Sequence, residues 1–144
     1  MDDRYDLNRF VSAQSSSYDC VLTELKQGKK MSHWMWYIFP QIEGLGHSST
    51  ARLFSIKSKN EVKAYLAHPI LGERLKNCTQ LVNDIEGHTV NEIFGYPDDL
   101  KFHSSMTLFA CIEGNSRIFE WALSKYYGGK PDELTLEILG ALNN

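Results

Sequence analysis

The sequence has few of the features that mark a disulfide-stapled, secreted or membrane-spanning protein. Its three cysteines, Cys20, Cys78 and Cys111, lie far apart and form no CxxC pair, which favours small buried thiols in helices over a disulfide framework. No apolar run approaches the roughly 18 residues of a membrane span. Residues 1–6 are acidic and carry no signal-peptide apolar region. We therefore expect a soluble cytoplasmic protein with no membrane segment.

Clustered basic charge is also lacking. The 15 lysines and arginines are outnumbered by 18 acidic residues, for a net charge of -3, and they are scattered, whereas proteins that grip phosphate backbones cluster them. The densest basic patch, Lys26, Lys29 and Lys30, is more typical of a helix end. The five histidines show no HxH or HExxH spacing, so the sequence predicts no zinc site. We expect no nucleic-acid partner and no metal.

What is present is helical periodicity from end to end, with little strand-like alternation. The 144 residues have about the length of one domain, and neither a Ser/Pro-rich linker nor an internal repeat divides them. The predicted fold is all-α, a compact single-domain bundle over residues 1–144 with about seven to nine mostly short helices around a buried central helix. The clearest amphipathic helix is residues 69–86, with its apolar stripe at Leu71, Leu75, Cys78, Val82 and Ile85.

Capping residues predict where helices begin and end. Gly28 is expected to end a helix that starts near Tyr18. Ser58 and Glu61 have capping-box spacing. Pro69 suits the first position of the helix over residues 69–86, which Gly87 would end. Four more residues are predicted to cap helix starts: Asp6, His68, Asn115 and Asp132.

Two stretches break the amphipathic rule. Residues 97–113 are apolar on nearly every side, which is typical of a buried helix, although they include Lys101 and Ser105. Residues 32–41 are densely aromatic and must be largely buried, with their Trp N–H groups hydrogen-bonded. Because Trp34 and Trp36 cannot point the same way on a helix, one of them is expected to line a cleft. His33 is interpreted either as a core histidine with a satisfied ring or as a ligand contact.

Two polar groups of residues could carry chemistry. The turn containing Gly44, Gly46 and Ser48 could cradle an anion at a helix start, or Ser48 could simply cap that helix. Asp98, Lys101 and Ser105 share one helix face. Lys101 could bind an anion or activate Ser105 as a nucleophile; in the structural alternative it pairs with Asp98, and Ser105 bonds to a backbone carbonyl. Nothing specifies an oxyanion hole, so no catalytic residue is assigned.

Several motifs closely resemble the bacterial domain of unknown function 1810 family. The resemblance is carried by SHWMWYIFPQ at 32–41, GLG at 44–46, AYL at 64–66, HP at 68–69, LG at 71–72, FG at 94–95 and SSMTLF at 104–109, and it covers nearly the whole chain. It implies an all-α single domain of the mycobacterial hypothetical-protein type. It implies no reaction, and the label "calpastatin" that some members carry is disregarded.

The leading functional hypothesis is a small-molecule pocket, lined by Trp, His, Lys and Ser side chains, between the aromatic segment at residues 33–41 and the helix over residues 98–109. A lysine with hydroxyls and helix-start amides favours a small anionic or nucleotide-like ligand; whether it is an enzyme, and with which cofactor, stays open. The alternative is a protein-interaction or adaptor domain without catalysis, whose apolar contact patch would lie elsewhere. The predicted ligand-binding residues are His33, Trp36, Gln41, Gly44, Gly46, Ser48, Lys101 and Ser105.

Overall fold

The protein is all-α. A computed structural model describes residues 3–112, 114 and 117–142, and in those residues there is no strand, only an isolated parallel bridge between Ile42 and Ile56. The described residues form ten mostly short helices, close to the seven to nine expected. They are α1 (Asn8–Ser15), α2 (Tyr18–Gln27), α3 (Met35–Ile38), α4 (Ser49–Leu53), α5 (Lys59–Ala67), α6 (Leu71–Asp84), α7 (Val90–Phe94), α8 (Asp98–Ala110), α9 (Arg117–Tyr127) and α10 (Glu133–Ala141). None of these helices is both long and apolar enough to cross a bilayer.

The predicted buried central helix is α8. It packs against α7, α9 and α10 and buries its side chains from Ser104 to Phe109 without interruption. The centre of its Phe102 ring lies 5.0 Å from the ring centre of Phe39, in the aromatic segment, and 4.8 Å from the ring centre of Phe94. Burial of a phenylalanine contributes about 1.5–3 kcal/mol, so this aromatic contact fastens residues 32–41 to the centre of the molecule.

Most of the predicted helix ends are confirmed. Gly28 ends α2 with a positive φ of 82°, which glycine adopts without steric cost. The Ser58 side chain accepts a hydrogen bond from the Glu61 amide at 3.1 Å, and Asp132 caps α10. His68 Nδ1 accepts hydrogen bonds from the first amides of the α6 region at 3.1 and 3.2 Å. These bonds are local, which is why sequence spacing predicts them.

Other predicted helix ends are corrected. The N–H groups at the start of α1 bond to the carboxylate of Asp3, not Asp6: Leu7 donates at 2.7 Å and Asn8 at 3.0 Å. Asp6 has a φ of 51°, so it forms the turn that brings Asp3 back to the helix start. Pro69 lies before α6, which begins at Leu71. The predicted cap Asn115 lies outside the described residues.

The prediction of three buried thiols is right for Cys78 alone, which lies in the core. Cys20 is exposed on the outer face of α2, and Cys111 is exposed where α8 ends. Each cysteine is on or next to a helix as predicted, but helix position does not determine which face is turned inward.

Candidate functional site

The aromatic segment is held in place by one carboxylate, Glu24 of α2. Its Oε1 accepts hydrogen bonds from the Met31 amide at 2.6 Å, the Ser32 amide at 3.0 Å and the indole N–H of Trp34 at 3.0 Å. Its Oε2 accepts from the Ser32 hydroxyl at 2.6 Å and the Cys20 thiol at 3.0 Å. Glu24 was not among the predicted site residues, although the Trp34 N–H required a partner of this kind.

The hydrogen bonds to Glu24 determine its charge state. Burial raises the pKa of the Glu24 carboxyl, but the bonds from Cys20, Ser32 and the backbone outweigh this effect and lower the pKa to about 2. The carboxylate is therefore ionised across the physiological range. It holds residues 31–34 as a fixed backbone platform next to α8.

A nearly buried ion pair joins this platform to the start of α8. Lys30 Nζ lies 2.8 Å from Asp98 Oδ2, and the Lys30 side chain is only 7% exposed. The same ammonium lies 5.2 Å from the centre of the Trp34 ring, within cation–π distance. Lys30 is therefore not simply a charge at a helix end, as the sequence suggested. It belongs to the site.

The second lysine of the candidate site is Lys101, one of the residues that the sequence predicts to bind a ligand. Its Nζ lies 4.8 Å from the centre of the Trp36 ring and 3.5 Å from Asp98 Oδ1. Asp98 thus stands between Lys30 and Lys101, and both lysines face a tryptophan. We call Lys30, Trp34, Trp36, Asp98 and Lys101 the tryptophan–lysine cluster. It contains two cations and one anion.

The two tryptophans divide as expected, one inward and one outward. Trp34 is fully buried, whereas Trp36 is half-buried. His33 is exposed, so the interpretation as a core histidine is wrong, and within the described residues its ring has no hydrogen-bond partner. Gln41 contributes through its backbone, whose carbonyl accepts from the Ile56 amide at 2.9 Å.

The glycine turn is a tight turn followed by a cap. Ser48 caps α4 by accepting from the Ala51 amide at 3.1 Å. A Cβ on Gly46 would lie 2.6 Å from the Ala51 Cβ, and a Cβ on Gly44 would lie 3.4 Å from Ile138 of α10. The glycines therefore allow close packing of the turn on its own helix and on α10. With five residues, α4 is only a little over one turn long.

Ser105 lies beneath the surface instead of in an open cleft. It is completely buried, and its hydroxyl has no hydrogen-bond partner in the described part of the chain. The prediction that it bonds to a backbone carbonyl is wrong; its neighbour Ser104 does so, donating to Leu100 O at 3.1 Å. A nucleophile without solvent contact does not meet the geometric requirement for reaction with a bound substrate.

The exposed groups of this region suit anion binding better than metal binding. In residues 3–112, 114 and 117–142, no group of three or more His, Cys, Asp or Glu side chains is arranged to hold a metal ion. Lys101, 24% exposed, offers ammonium N–H donors, and Trp36 offers a flat apolar face. An ammonium above an indole can hold a negatively charged group next to a planar ring.

The all-α fold and its signature segments define a family. A family model described as "Protein of unknown function (DUF1810)" matches residues 4–139, and the chain belongs to this family. The chain is similar to the conserved hypothetical protein Rv1873 from Mycobacterium tuberculosis, whose crystal structure it matches with a TM-score of 0.96 and 49% identity, over 97% of this chain and 100% of that chain. A comparison with curated proteins finds no match. The resemblance and the all-α prediction are both confirmed.

Proposed function

We propose that the protein binds a small anionic or nucleotide-like ligand at the tryptophan–lysine cluster. The observation that carries the proposal is the position of Lys101, whose ammonium lies 4.8 Å from the Trp36 ring centre while a quarter of its side chain is open to solvent. Asp98 lies 2.8 Å from the Lys30 ammonium but 3.5 Å from that of Lys101, so Lys101 is the less tightly paired of the two lysines and supports contact with a ligand anion.

The ligand contacts are assigned to three side chains. Lys101 would donate charge-assisted hydrogen bonds to a phosphate or carboxylate, Trp36 would pack against a planar or apolar part of the ligand, and the exposed imidazole of His33 would add a directional donor. Trp34 and Lys30 would support the surface formed by Lys101, Trp36 and His33 without touching the ligand. Their burial and ion pairing support a positioning role.

The remaining predicted site residues are assigned positioning roles as well. Gln41 holds the end of the aromatic segment through its backbone carbonyl, and the turn of Gly44, Gly46 and Ser48 supports α4. The buried Ser105 lies one helical turn beyond Lys101. We propose that it leaves room for α8 to pack and does not touch the ligand.

The test is a thermal-shift comparison of the parent protein with Lys101→Met. Methionine keeps an unbranched apolar stem over Trp36 and removes only the charge. A nucleotide, phosphosugar or simple anion at about 100 times its dissociation constant should stabilise the parent by about 2.7 kcal/mol, which raises Tm by several degrees. Lys101→Met loses one charge-assisted hydrogen bond to the ligand, which should raise the dissociation constant at least about tenfold.

The matched control is Lys130→Met, which removes an equal charge from an exposed lysine outside the cluster. It should bind the ligand as the parent does. The proposal fails if no anion in the series raises Tm of the parent, or if a ligand stabilises Lys101→Met as much as it stabilises Lys130→Met.

The second candidate function is protein interaction, and one observation favours it. Trp121 of α9 is 63% exposed and lines a cavity of about 370 Å³ with Arg117, Ile118 and residues of α6. Exposed tryptophan next to arginine is typical of interface hot spots, and Arg117 favours an acidic partner segment. A photo-crosslinker at position 121 should trap one defined protein in cells, and Arg117→Glu should abolish that adduct. Unchanged trapping in Arg117→Glu would contradict this function.

We also propose a cytoplasmic location, one domain over residues 1–144, and no nucleic-acid partner. The unpaired thiols of Cys20, Cys78 and Cys111 support a reducing compartment. Lys30, the last lysine of the densest basic patch, is engaged by Asp98, which leaves little clustered charge for a phosphate backbone.

A further inference from the structure

A second region with the features of a binding site lies on another side of the helical bundle. A cavity of about 720 Å³ opens between α5, the end of α8 and α10. This volume is within the range of roughly 300–1,000 Å³ typical of small-molecule sites. The lining combines aliphatic side chains with lysine: Lys59, Lys63, Leu66, Ile112, Leu136 and Leu139.

Among the described residues that line this cavity, the charged side chains are both lysines. Lys59 and Lys63 are four residues apart on α5, so they project from the same face of the helix. Neither lysine forms an ion pair with a carboxylate of the described residues. Two ammonium groups at the edge of an apolar cavity favour a ligand with a negatively charged head.

The rest of the cavity is suited to an alkyl chain. Leu139 and Ile112 are buried, at 4% and 9% exposed, but Leu136 is 40% exposed. A Cβ built on Gly140 would meet no atom within 4 Å, so there is open space next to these leucines. An alkyl chain of a ligand lying in this space would cover Leu136, and the burial of apolar surface would favour binding.

We propose that the cavity binds an amphipathic monoanion of the medium-chain carboxylate class. The alkyl chain lies along Leu136 and Leu139, and the carboxylate accepts hydrogen bonds from Lys59 and Lys63. This site shares no residue with the tryptophan–lysine cluster, so the two proposals stand or fall separately.

The thiol of Cys111 provides a direct measure of occupancy. Cys111 is exposed, lines the cavity and donates to Thr107 O at 3.2 Å. Burial raises the pKa of this thiol, and Lys59 partly counters the rise, which places Lys59 within electrostatic reach. Cys20 is exposed on α2, outside the cavity. It serves as an internal control in the same molecule.

The experiment measures alkylation of the full chain by iodoacetamide, followed for each cysteine by mass spectrometry. Decanoate, kept below its micelle concentration, should slow alkylation of Cys111 about tenfold at about ten times its dissociation constant and leave Cys20 unchanged. Decanol, which lacks the charge, and acetate, which lacks the chain, should protect much less. Equal protection by decanol, or no protection by decanoate, would overturn the proposal.

Two variants test the two halves of the site. Gly140→Leu places a side chain in the open space and should abolish protection by decanoate. The double variant Lys59→Gln/Lys63→Gln should raise the dissociation constant at least about tenfold through loss of two charge-assisted bonds. Lys57→Gln removes a neighbouring charge that does not line the cavity and should behave as the parent.

The ratio of alkylation rates with and without decanoate is compared within each variant, because loss of Lys59 also changes the reactivity of the thiol itself. Undiminished protection in the double lysine variant would contradict the assigned carboxylate contacts, whatever Gly140→Leu does. Lys101→Met should leave protection of Cys111 unchanged. A loss of protection in Lys101→Met would show that the site is not the independent one proposed.

Discussion

At the scale of single residues, Glu24 has the largest local effect. One carboxylate accepts five hydrogen bonds from Cys20, Met31, Ser32 and Trp34. Of these donors, the Trp34 N–H is fully buried and would otherwise be left unpaired, at a cost of about 1–3 kcal/mol. Glu24 therefore determines the position of the backbone that presents Trp36 to Lys101.

Stability should depend on pH through Glu24. Its pKa is about 2 in the folded protein, against an ordinary value of 4.5, so its contribution is complete above pH 4.5 and is lost as the pH falls from 4.5 towards 2. The loss amounts to at most about 3 kcal/mol. Urea unfolding at several pH values should show Glu24→Gln less stable than the parent at pH 7, with the difference shrinking by about this amount near pH 2.

The control for this prediction is Glu43→Gln, which changes an exposed carboxylate. Its unfolding free energy should follow that of the parent at every pH. A constant difference between Glu24→Gln and the parent from pH 7 to pH 2 would contradict the assigned pKa.

The adjacent serines of α8 should respond in opposite directions to alanine. The single hydroxyl hydrogen of Ser104 is shared between Leu100 O at 3.1 Å and Asp132 Oδ2 at 3.2 Å, so Ser104→Ala should lower the free energy of unfolding by about 1 kcal/mol. The Ser105 hydroxyl is buried without a hydrogen-bond partner in the described residues. Ser105→Ala removes this unsatisfied group and should raise the free energy of unfolding by about 1 kcal/mol. Chemical denaturation measures both. A destabilised Ser105→Ala would mean that this hydroxyl is paired.

At the scale of helices, Gly72 allows α5 and α6 to meet closely. A Cβ at Gly72 would lie 2.2 Å from the carbonyl oxygen of Leu66 and 3.0 Å from its carbonyl carbon. These are backbone atoms, which cannot rotate away as a side chain can. The glycine is therefore required by the contact between α5 and the first turn of α6, not by an unusual backbone conformation.

Alanine should distinguish Gly72 from Gly140, the other glycine inside a helix. Gly72→Ala should lower the unfolding free energy by about 1–3 kcal/mol through overpacking. The added Cβ of Gly140→Ala would lie in open space. This substitution should raise the unfolding free energy by up to about 1 kcal/mol, because alanine loses less backbone conformational entropy than glycine on forming a helix. Thermal and urea unfolding give both values. Similar effects of the two substitutions would contradict the close approach at Gly72.

At the scale of the whole molecule, the core thiol should report global unfolding. Burial raises the pKa of Cys78 to about 12, and its side chain is fully buried in the central cluster of hydrophobic residues. In the native protein, iodoacetamide should label Cys20 and Cys111 while Cys78 reacts roughly a thousandfold or more slowly, as expected for a stability of at least about 5 kcal/mol.

Denaturant provides the comparison for Cys78. All three thiols should react at similar rates once the chain is unfolded, and the protection of Cys78 should fall in step with the unfolding transition. If Cys78 reacts as fast as Cys20 in the native protein, α6 opens locally without unfolding of the whole molecule.

The candidate site was predicted only in part. The sequence indicates Lys101 and Trp36 as candidates because a charged residue in an apolar helix and a pair of tryptophans are recognisable within short stretches of sequence. Lys30 and Glu24 were missed as site residues because their roles depend on partners brought near by folding. The sequence leaves His33 either as a ligand contact or as a core residue, and the tertiary structure places it at the surface.

The sequence by itself determined the all-α fold, the buried central helix and most helix ends. These features follow from periodicity and from hydrogen bonds between residues a few positions apart, so short stretches of the sequence are enough to predict them. The tertiary structure alone decided the pairing of Lys30 with Asp98, the choice of Asp3 over Asp6 at α1, and which thiols face solvent. Such outcomes depend on which distant surfaces meet, because the stability of an ion pair or a buried side chain is set by its neighbours in space.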